Sequence, residues 1–420
     1  MENSSLPVAV IGAGPVGLAA AAHLVARGLP ALVLEAGDDV AANVRDWGHV
    51  RLFSPWRYNV DKAAARLLEP TGWRAPEPDE LPTGRELVDA YLRPLARVPE
   101  LAGRVRFGAR VVAITRAGAD KVKTDGRERR PFALRLDGEE ELLARAVIDA
   151  TGTWATPNPL GASGLTALGE AAVRERIHYG IPDVLGAQRA RYAGRTTLVV
   201  GAGHSAANSI LGLAELARAE GGTRILWATR GEDLTRVFGG GSADGLPARG
   251  LLGDSLRRLV ARGDLRLFTG LRVERLAHHR AGIEVTASQR GATVTLDGID
   301  EIIAATGQRP DLTLARELRL ALDPWLESAA AIGPLIDPNL HSCGTVRPHG
   351  AVELAHPEPG FYVIGSKSYG RAPTFLLATG HEQARSVAAM LADDREAALR
   401  VELDLPETGV CSSSAATCCA

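Results

Sequence analysis

Near its beginning, the chain runs from an apolar segment through a glycine-rich turn into a helix-like pattern. Residues 8–11 are all apolar and predict a buried parallel strand. Residues 15–27 are rich in alanine and predict a helix, and residues 31–35 predict a second strand. Because a strand, a helix and a strand follow in direct succession, the pattern indicates a βαβ unit.

A second unit of this kind begins near residue 195. There, residues 196–200 predict a strand, residues 204–219 a helix and residues 224–229 another strand. Thr83 and Glu86 form a capping-box pattern that predicts the start of a further helix. The remaining periodic segments predict helices at 85–98 and 380–392, and strands at 105–114, 132–136, 146–149, 265–269, 272–277, 282–287, 293–296, 301–304 and 361–364.

The overall composition is that of a globular protein, with 45% hydrophobic and 23% charged residues among 420. Domains of about 100–200 residues are usual, so two or three domains are expected. The 48 basic and 50 acidic residues leave a net charge of −2. We therefore expect no nucleic-acid or membrane partner, and no segment is predicted to span a membrane.

The four cysteines are distributed unevenly. Cys411, Cys418 and Cys419 fall in the last ten residues, and Cys343 is the only cysteine before them. This distribution excludes a secreted scaffold held together by disulfides, and a reducing cytoplasm is the expected location.

The first glycine-rich turn has the pattern of a dinucleotide-binding site. Gly12, Gly14 and Gly17 would allow a tight turn and a close approach of the backbone to a pyrophosphate at the helix N-terminus. Glu35 ends the second predicted strand, where a carboxylate can bind an adenosine ribose. If the glycines served only the packing of the helix on the strand, Glu35 would have no explanation.

The second turn repeats this pattern with Gly201, Gly203 and Ser205. The strand after its helix leads to Arg230 rather than to a carboxylate. An arginine there would attract the 2′-phosphate of NADPH, so NADPH is favoured over NADH. An ordinary solvated arginine is the alternative. Two dinucleotide sites in one chain predict a flavoprotein that holds FAD and takes a hydride from NADPH.

Two Ala-Thr-Gly motifs, at residues 150–152 and 305–307, follow the predicted dinucleotide units, and the first precedes Pro157 and Pro159. The first motif with its prolines resembles the flavin-containing monooxygenases, and the whole succession resembles the superfamily of flavoproteins with two dinucleotide sites over nearly the whole chain. The resemblance implies an α/β fold with two Rossmann-like dinucleotide-binding domains, the NADPH domain inserted into a discontinuous FAD domain. The implied boundaries are 1–180 and 307–400 for the two parts of the FAD domain, 190–306 for the NADPH domain, and 406–420 for a flexible cysteine-containing tail.

The resemblance also implies contacts with FAD from the first Ala-Thr-Gly and from the region of the last strand. Thr151 and Gly152 belong to the first group, and Gly365, Ser366 and Thr379 to the second. Ser366 stands where relatives carry an Asp that binds the ribityl chain, and its hydroxyl can still donate a hydrogen bond. The helix that starts near residues 379–380 would direct its positive end at the flavin.

Two catalytic residues are implied by the same resemblance. Asn59 stands where the family has an active-site asparagine, and His178 precedes the NADPH turn where the family has a histidine. The flanking Phe-x-Gly of that family histidine is missing here. A helix cap for Asn59 and the end of a linker for His178 are the alternatives.

The cysteines favour oxygen chemistry over thiol chemistry within this superfamily. Disulfide reductases resemble one another in a redox-active cysteine pair after the first βαβ unit or inside the NADPH domain. This sequence has no cysteine in either place, so no protein disulfide there could relay electrons from the flavin. A monooxygenase needs no such relay, because oxygen reacts with the reduced flavin itself.

The adjacent Cys418 and Cys419 resemble the metal-collecting tail of mercuric reductases, and Cys411 and Cys343 are further candidates for metalloid capture. Soft thiolates favour soft acceptors such as As(III) or Sb(III). The whole pattern also resembles the flavoprotein monooxygenases of bacterial arsenic-resistance operons. For Cys343, a small buried hydrophobe is the alternative, and for the tail, an end without function.

These resemblances together imply an enzyme that uses FAD, NADPH and oxygen to oxidise a small soft nucleophile through a flavin C4a-hydroperoxide. The expected substrate is a trivalent arsenical or antimonial, converted to its pentavalent form. Three alternatives stay open: oxidation of organic amines or sulfides, a flavin reductase that passes electrons to the tail thiols or to a partner, and a redox-responsive metalloid-binding protein. The oligomeric state is also open, a homodimer included.

Overall fold

The structure is a computed structural model that describes residues 5–239, 247–280, 282–341, 346–373 and 375–403. It divides into two compact units. The first runs to Thr156 and resumes at Arg309, and the second spans Pro157–Gln308. The predicted tail 406–420 and all four cysteines lie outside the described residues.

Within those ranges, the strands are β1 (Val8–Ile11), β2 (Ala31–Leu34), β3 (Val105–Arg106), β4 (Val111–Arg116), β5 (Phe132–Leu136), β6 (Glu141–Ala144), β7 (Ala146–Asp149), β8 (Ile177–Tyr179), β9 (Thr196–Val200), β10 (Arg224–Ala228), β11 (Arg266–Phe268), β12 (Leu271–His279), β13 (Gly282–Gln289), β14 (Ala292–Ile299), β15 (Glu301–Ala304) and β16 (Phe361–Val363).

The α-helices in the same ranges are α1 (Pro15–Ala26), α2 (Ala42–Asp46), α3 (Trp56–Asn59), α4 (Lys62–Leu68), α5 (Gly84–Leu87), α6 (Arg93–Ala96), α7 (Pro99–Ala102), α8 (Arg189–Tyr192), α9 (His204–Ala219), α10 (Thr235–Phe238), α11 (Pro247–Arg262), α12 (Gly333–Ile336), α13 (Leu377–Leu391) and α14 (Arg395–Leu399). Short 3₁₀ segments lie at Glu69–Thr71, Arg127–Arg129, Glu170–Arg176, Thr313–Ala315 and Gly365–Tyr369, and a π-helical turn at Val88–Leu92.

The first unit contains a parallel sheet of five strands in the order β16-β7-β1-β2-β3. Alternate side chains of β1 enter two different cores because successive residues of a strand point to opposite faces. Val8 and Val10 pack with α1, whereas Ala9 and Ile11 pack with the antiparallel sheet β4-β5-β6. Burial on both faces explains why the predicted strand is apolar throughout.

The second unit likewise has helices on one face of a parallel sheet and an antiparallel sheet on the other. Its parallel sheet has the order β11-β10-β9-β15-β8, and the antiparallel sheet β12-β13-β14 covers one face. Leu198 and Val200 of β9 pack towards that antiparallel sheet, and Val199 packs with residues of α9 and α11. The predicted α/β fold class, with two Rossmann-like units, is confirmed.

Two predicted elements are wrong in detail. Residues 105–114 were expected to form one strand, but they contribute β3 to the parallel sheet and the start of β4 to the antiparallel sheet. Residues 85–98 were expected to form one helix, but the chain passes through the π-helical turn. Pro94 has no N–H to donate to the carbonyl of Ala90, and the Trp73 indole donates to that oxygen instead, at 2.7 Å. The capping box of Thr83 and Glu86 is formed as predicted.

The boundary between the units also differs from the prediction. Residues 157–180 were assigned to the first part of the FAD domain, whereas the structure groups them with the second unit. The reason is that β8 hydrogen-bonds to β15 as the edge strand of the second parallel sheet. Such pairing joins residues more than a hundred positions apart, which a local pattern does not reveal.

Candidate functional site

The first glycine-rich turn joins β1 to α1 and leaves open space above its backbone. Gly12 has φ +100°, and a Cβ on it would lie 2.9 Å from the carbonyl oxygen of Ala150. A Cβ on Gly17 would overlap the carbonyl oxygen of Gly12, so this position needs glycine for the packing of the helix on the strand. Gly14 is different, because, its two chain neighbours apart, no atom in the described part of the chain lies within 4 Å of the place where its Cβ would stand. The turn therefore has room for a ligand at Gly14.

Glu35 follows β2 and holds its carboxylate against this turn. Its Oε2 accepts a hydrogen bond from the Ala13 amide at 2.7 Å, and its Oε1 accepts one from the Gly37 amide at 2.9 Å. The residue is 8% exposed. A carboxylate has about four acceptor positions, so two remain for the hydroxyls of a ribose. This placement is compatible with the predicted role of Glu35.

The residues implied by the first Ala-Thr-Gly and by the last strand meet beside the first turn. A Cβ on Gly152 would lie 3.5 Å from the Ser366 hydroxyl. A Cβ on Gly365 would lie 3.5 Å from the side chain of Val16, in the first turn of α1. Because β1, β7 and β16 are neighbours in a parallel sheet, their carboxyl ends bring these segments to one edge.

Thr151 and Thr379 are also held near this edge. The Thr151 amide and hydroxyl both donate to Asp149 Oδ1, at 3.1 and 2.7 Å. Thr379 is buried in the first turn of α13, which begins at Leu377, slightly earlier than predicted. A hydrogen bond joins Thr379 to the Tyr369 side chain, whose pKa is raised chiefly by burial.

The second glycine-rich turn has the same construction in the second unit. Gly201 has φ +140°, and a Cβ on it would overlap the carbonyl oxygen of Ala305, in the second Ala-Thr-Gly. Gly203 has open space within 4 Å of its Cβ position, as Gly14 has. Ser205 lies in the first turn of α9 and is partly buried. The turn again leaves room for a ligand at the helix N-terminus.

Arg230 follows β10 in the second unit and is exposed. Its Nη1 donates to the carbonyl oxygen of Ala162 at 3.3 Å. The nearest carboxylate along the chain is Glu232, whose Oε1 lies 3.5 Å from Nε of Arg290. The guanidinium of Arg230 is therefore at the surface, where it can meet an anion.

The two residues that the resemblance implies as catalytic contact neighbouring side chains and backbone of their own units. Asn59 is fully buried at the end of α3; its Oδ1 accepts from the Ser54 hydroxyl at 2.8 Å, and its Nδ2 donates to the Ser54 carbonyl at 2.7 Å. His178 lies on the edge strand β8, with Nδ1 at 3.4 Å from the side-chain Nε2 of Gln188. Both roles remain predictions.

The described residues include three buried charged clusters that the sequence analysis missed. They are Lys367 with Asp149, His23 with Asp61, and Arg116 and Arg127 with Glu358. In each cluster the partners are far apart in the sequence, so no local motif points to them. Only the rarity of lysine, of which the chain has four, could have drawn attention to Lys367. In the same described ranges, no group of three or more His, Cys, Asp or Glu is placed to hold a metal ion.

The His23–Asp61 pair joins α1 to α4. His23 Nε2 lies 3.0 Å from Asp61 Oδ2, and Asp61 Oδ1 caps α4 by accepting from the amides of Ala63 and Ala64. Burial would raise the pKa of the Asp61 carboxyl, but the hydrogen bond and charge of His23, helped by the capping amides, lower it to about 2.

We expect Asp61→Asn to lower the free energy of unfolding by about 2 kcal/mol near neutral pH. The folded pKa of Asp61 is below its ordinary value of 3.8, so this stabilisation is complete above about pH 4 and is lost as the pH falls towards 2. Urea unfolding of both proteins between pH 2 and 7 measures the difference. Asp297→Asn, on the exposed side of β14, is the control. A difference that does not change with pH would contradict the assignment.

Residues 9–329 match the family model described as pyridine nucleotide-disulphide oxidoreductase, and the chain belongs to this family. It is a flavin-dependent oxidoreductase. The predicted cofactors agree with the FAD named for one protein of the same fold and with the FAD and NADP+ named for another. Within the described ranges, the helices are too short or too polar to cross a membrane.

Among curated proteins, the chain is similar to indole-3-pyruvate monooxygenase YUCCA1 from Oryza sativa subsp. japonica, with 34% identity over 198 residues. The match takes in 47% of this chain and 42% of that protein, so the chain spans less than half the length of this relative. The resemblance to flavin monooxygenases is supported. A resemblance to arsenic-resistance proteins is not shown.

Three solved structures share the fold. The bacillithiol disulfide reductase Bdr (YpdA) from Bacillus cereus has a TM-score of 0.66 and 19% identity, over 92% of this chain and 99% of that one. DfoA, the cadaverine monooxygenase from Erwinia amylovora, has a TM-score of 0.65 and 15% identity, over 95% of this chain and 97% of that one. A flavin-containing monooxygenase from Stenotrophomonas maltophilia has a TM-score of 0.56 and 20% identity, over 92% of this chain and 98% of that one.

Proposed function

We propose that the protein is a monooxygenase that uses FAD, NADPH and oxygen to oxidise a small soft nucleophile. The observation that carries this proposal is the combination of two glycine-rich turns that have room for a ligand with a sequence that has no cysteine before residue 343. A reductase that works through a protein dithiol needs a cysteine pair beside the flavin or inside the nucleotide domain. A monooxygenase needs only the two nucleotide sites and oxygen.

The residues at both turns fit the two cofactors. The open space at Gly14 and at Gly203 allows a pyrophosphate to approach the backbone at the N-termini of α1 and α9. In the first unit, Gly12, Gly17 and Glu35 would hold FAD, with Thr151, Gly152, Gly365, Ser366 and Thr379 contributing at the same edge. In the second unit, Gly201, Gly203 and Ser205 would hold NADPH, with Arg230 pairing with its 2′-phosphate.

When bound, NADPH supplies a hydride and FAD passes the electrons to oxygen. The chain itself holds each dinucleotide at a helix N-terminus, where the positive end of the helix dipole favours the pyrophosphate charge. Asn59 and His178 would act nearest the reacting groups by the family resemblance. Little acid–base work is asked of the protein, because the flavin carries out the difficult step.

For the substrate, we propose a trivalent arsenical or antimonial. The support is the sequence alone: Cys411, Cys418 and Cys419 provide three soft thiolates within nine residues, and Cys343 is a fourth candidate. YUCCA1 and DfoA are named as monooxygenases of indole-3-pyruvate and cadaverine. Oxidation of an organic amine or sulfide is therefore the second candidate.

The test measures NADPH consumption and oxygen uptake by the purified protein with arsenite, a methylated trivalent arsenical, a thioether and cadaverine. We expect bound FAD and oxygen uptake that one of these substrates stimulates. NADPH consumption that is equally fast with and without oxygen would overturn the proposal of a monooxygenase. It would favour a reductase that passes electrons to the tail thiols or to a partner. Stimulation by the thioether or amine alone would assign an organic substrate.

Replacing Cys411, Cys418 and Cys419 with Ser should raise the KM for the arsenical, and an unchanged KM would remove the tail from the proposal.

A further inference from the structure

A lysine and an aspartate form a buried ion pair at the carboxyl edge of the first parallel sheet. Lys367 Nζ lies 2.7 Å from Asp149 Oδ2 and 3.0 Å from the Thr151 hydroxyl. The side chains are 1% and 0% exposed. Asp149 ends β7, and Lys367 belongs to the 3₁₀ segment Gly365–Tyr369 that follows β16. The pair therefore joins two segments that are separated by more than two hundred residues.

A buried ion pair is an expensive way to stabilise a fold. Removing two charges from water costs several kcal/mol, and apolar residues of similar size often stabilise as well or better. The location of this pair therefore calls for an explanation other than stability. It lies where the first Ala-Thr-Gly and the Gly365–Tyr369 segment meet the turn of Gly12, beside the proposed FAD contacts of Gly152 and Ser366.

The backbone around Lys367 is held in place by a second, uncharged network. Gln383 Oε1 accepts a hydrogen bond from the Gly365 amide at 2.8 Å, and its Nε2 lies 2.9 Å from the Ser368 hydroxyl and 2.8 Å from His349 Nε2. His349 Nδ1 lies 3.2 Å from the carbonyl oxygen of Arg347, so Nδ1 donates there and Nε2 accepts from Gln383. Because these hydrogen bonds already fix the segment, the ion pair adds charge at a defined point.

We propose that Lys367 is a positioning residue for the flavin, whose ammonium Asp149 holds beside the FAD contacts so that the two opposite charges set the electrostatic potential at the bound ring. The proposal rests on the binding of FAD at the first glycine-rich turn. A positive charge near a flavin stabilises the electron-rich reduced state, and a negative charge destabilises it. In a site shielded from water, the loss of either member of the pair leaves the other uncompensated.

The two members can be separated because their removal has opposite consequences. Lys367→Met leaves the Asp149 carboxylate unpaired and is expected to make the midpoint potential of bound FAD more negative. Asp149→Asn leaves the ammonium unpaired and is expected to make it more positive. The double variant removes both charges and should return the potential towards that of the unchanged protein. A purely structural pair would not produce shifts of opposite sign.

The experiment measures the midpoint potential of bound FAD in the holoenzyme and the Kd of FAD for each variant. Lys121→Met is the matched control, because Lys121 is exposed and donates to the carbonyl of Arg316 at 2.9 Å, away from the turn. If Lys367→Met does not retain FAD, Lys367→Gln keeps a hydrogen-bond donor without the charge, and the same negative shift is expected.

Shifts of the same sign in Lys367→Met and Asp149→Asn, or no shift in either, would overturn the assignment while leaving the proposed function intact. Unchanged protein that binds no FAD would instead overturn the proposed function itself. A potential altered equally by Lys121→Met would also count against the assignment, since it would show a general effect of surface charge.

Discussion

Replacing Glu358 with Gln is expected to lower the free energy of unfolding by about 3–5 kcal/mol, the usual cost of removing one partner from a buried ion pair. Glu358 Oε1 lies 2.8 Å from Nε of Arg116, and Oε2 lies 3.0 Å from Nη2 of Arg127. The three side chains are at most 3% exposed. Without the carboxylate, the two buried guanidinium groups would keep hydrogen bonds to backbone carbonyls but would lose the anion that pairs with both of them.

The same contacts explain the acidity of Glu358. Burial would raise the pKa of its carboxyl, but hydrogen bonds from Arg116, Arg127 and the Arg319 amide lower it below the ordinary value. The cluster connects the start of β16 to β4 and to the 3₁₀ turn of Arg127, so its loss should loosen the packing of the antiparallel sheet on the parallel one. This happens at the amino end of β16, opposite the proposed FAD edge, and we expect the Kd of FAD to be unchanged.

Chemical unfolding of the purified protein measures the effect of Glu358→Gln. Glu141→Gln is the control, because Glu141 pairs with Arg135 at 3.0 Å while both side chains are largely exposed, and such pairs contribute within about 1 kcal/mol. If Glu358→Gln does not fold, Arg127→Met keeps the Arg116 pair and should show a smaller loss. Equal stability of the Glu358 and Glu141 variants would contradict the assignment.

Replacing Gly14 with Ala is expected to weaken FAD binding without disturbing the fold. Gly14 has φ −77° and ψ −178° at the N-cap of α1, a conformation that alanine adopts readily. Apart from the two chain neighbours of Gly14, no atom of the described residues lies within 4 Å of the new Cβ, so we expect the collision to be with a bound ligand. Overfilling a packed site costs about 1–3 kcal/mol, which corresponds to roughly a 5- to 150-fold higher Kd for FAD.

Gly203→Ala is the matched variant for the second turn, because Gly203 has extended backbone and open space at its Cβ position as well. It should raise the KM for NADPH by a similar factor and leave the Kd of FAD unchanged. Titration of the apoprotein with FAD and steady-state kinetics with NADPH separate the two effects. If Gly14→Ala affected NADPH and Gly203→Ala affected FAD, the assignment of the turns would be reversed.

The local elements of both βαβ units could be predicted because their signals are local. Strand β9 and helix α9 have the predicted bounds, and β1 does as well. In each case a run of apolar residues, a glycine turn and a periodic helix stand next to one another in the sequence. The glycines of the turns are also local signals, since a close approach of backbone to backbone needs a residue without a side chain.

The elements that were mispredicted depend on distant partners. Strand β8 belongs to the second unit because of its hydrogen bonds to β15, and residues 105–114 divide because two different sheets bind them. The helix predicted at 85–98 contains the π-helical turn Val88–Leu92 just before Pro94. Pro94 has no N–H to donate to the Ala90 carbonyl, and the indole of Trp73 donates to that oxygen from outside the helix. Neither the partner strand nor the distant donor can be recognised from the residues around the break.

The sequence by itself determined the class of the protein: two dinucleotide units, their glycine turns and the placement of cysteine after residue 342. These are properties of short segments, whose conformations follow from steric and hydrophobic rules over a few residues. Only the tertiary structure decided which side chains meet. Lys367 reaches Asp149, and Glu358 reaches Arg116, across more than two hundred residues, because the order of strands in the sheets brings those segments together. Burial then makes the loss of one partner costly, since it leaves the other charge uncompensated away from water.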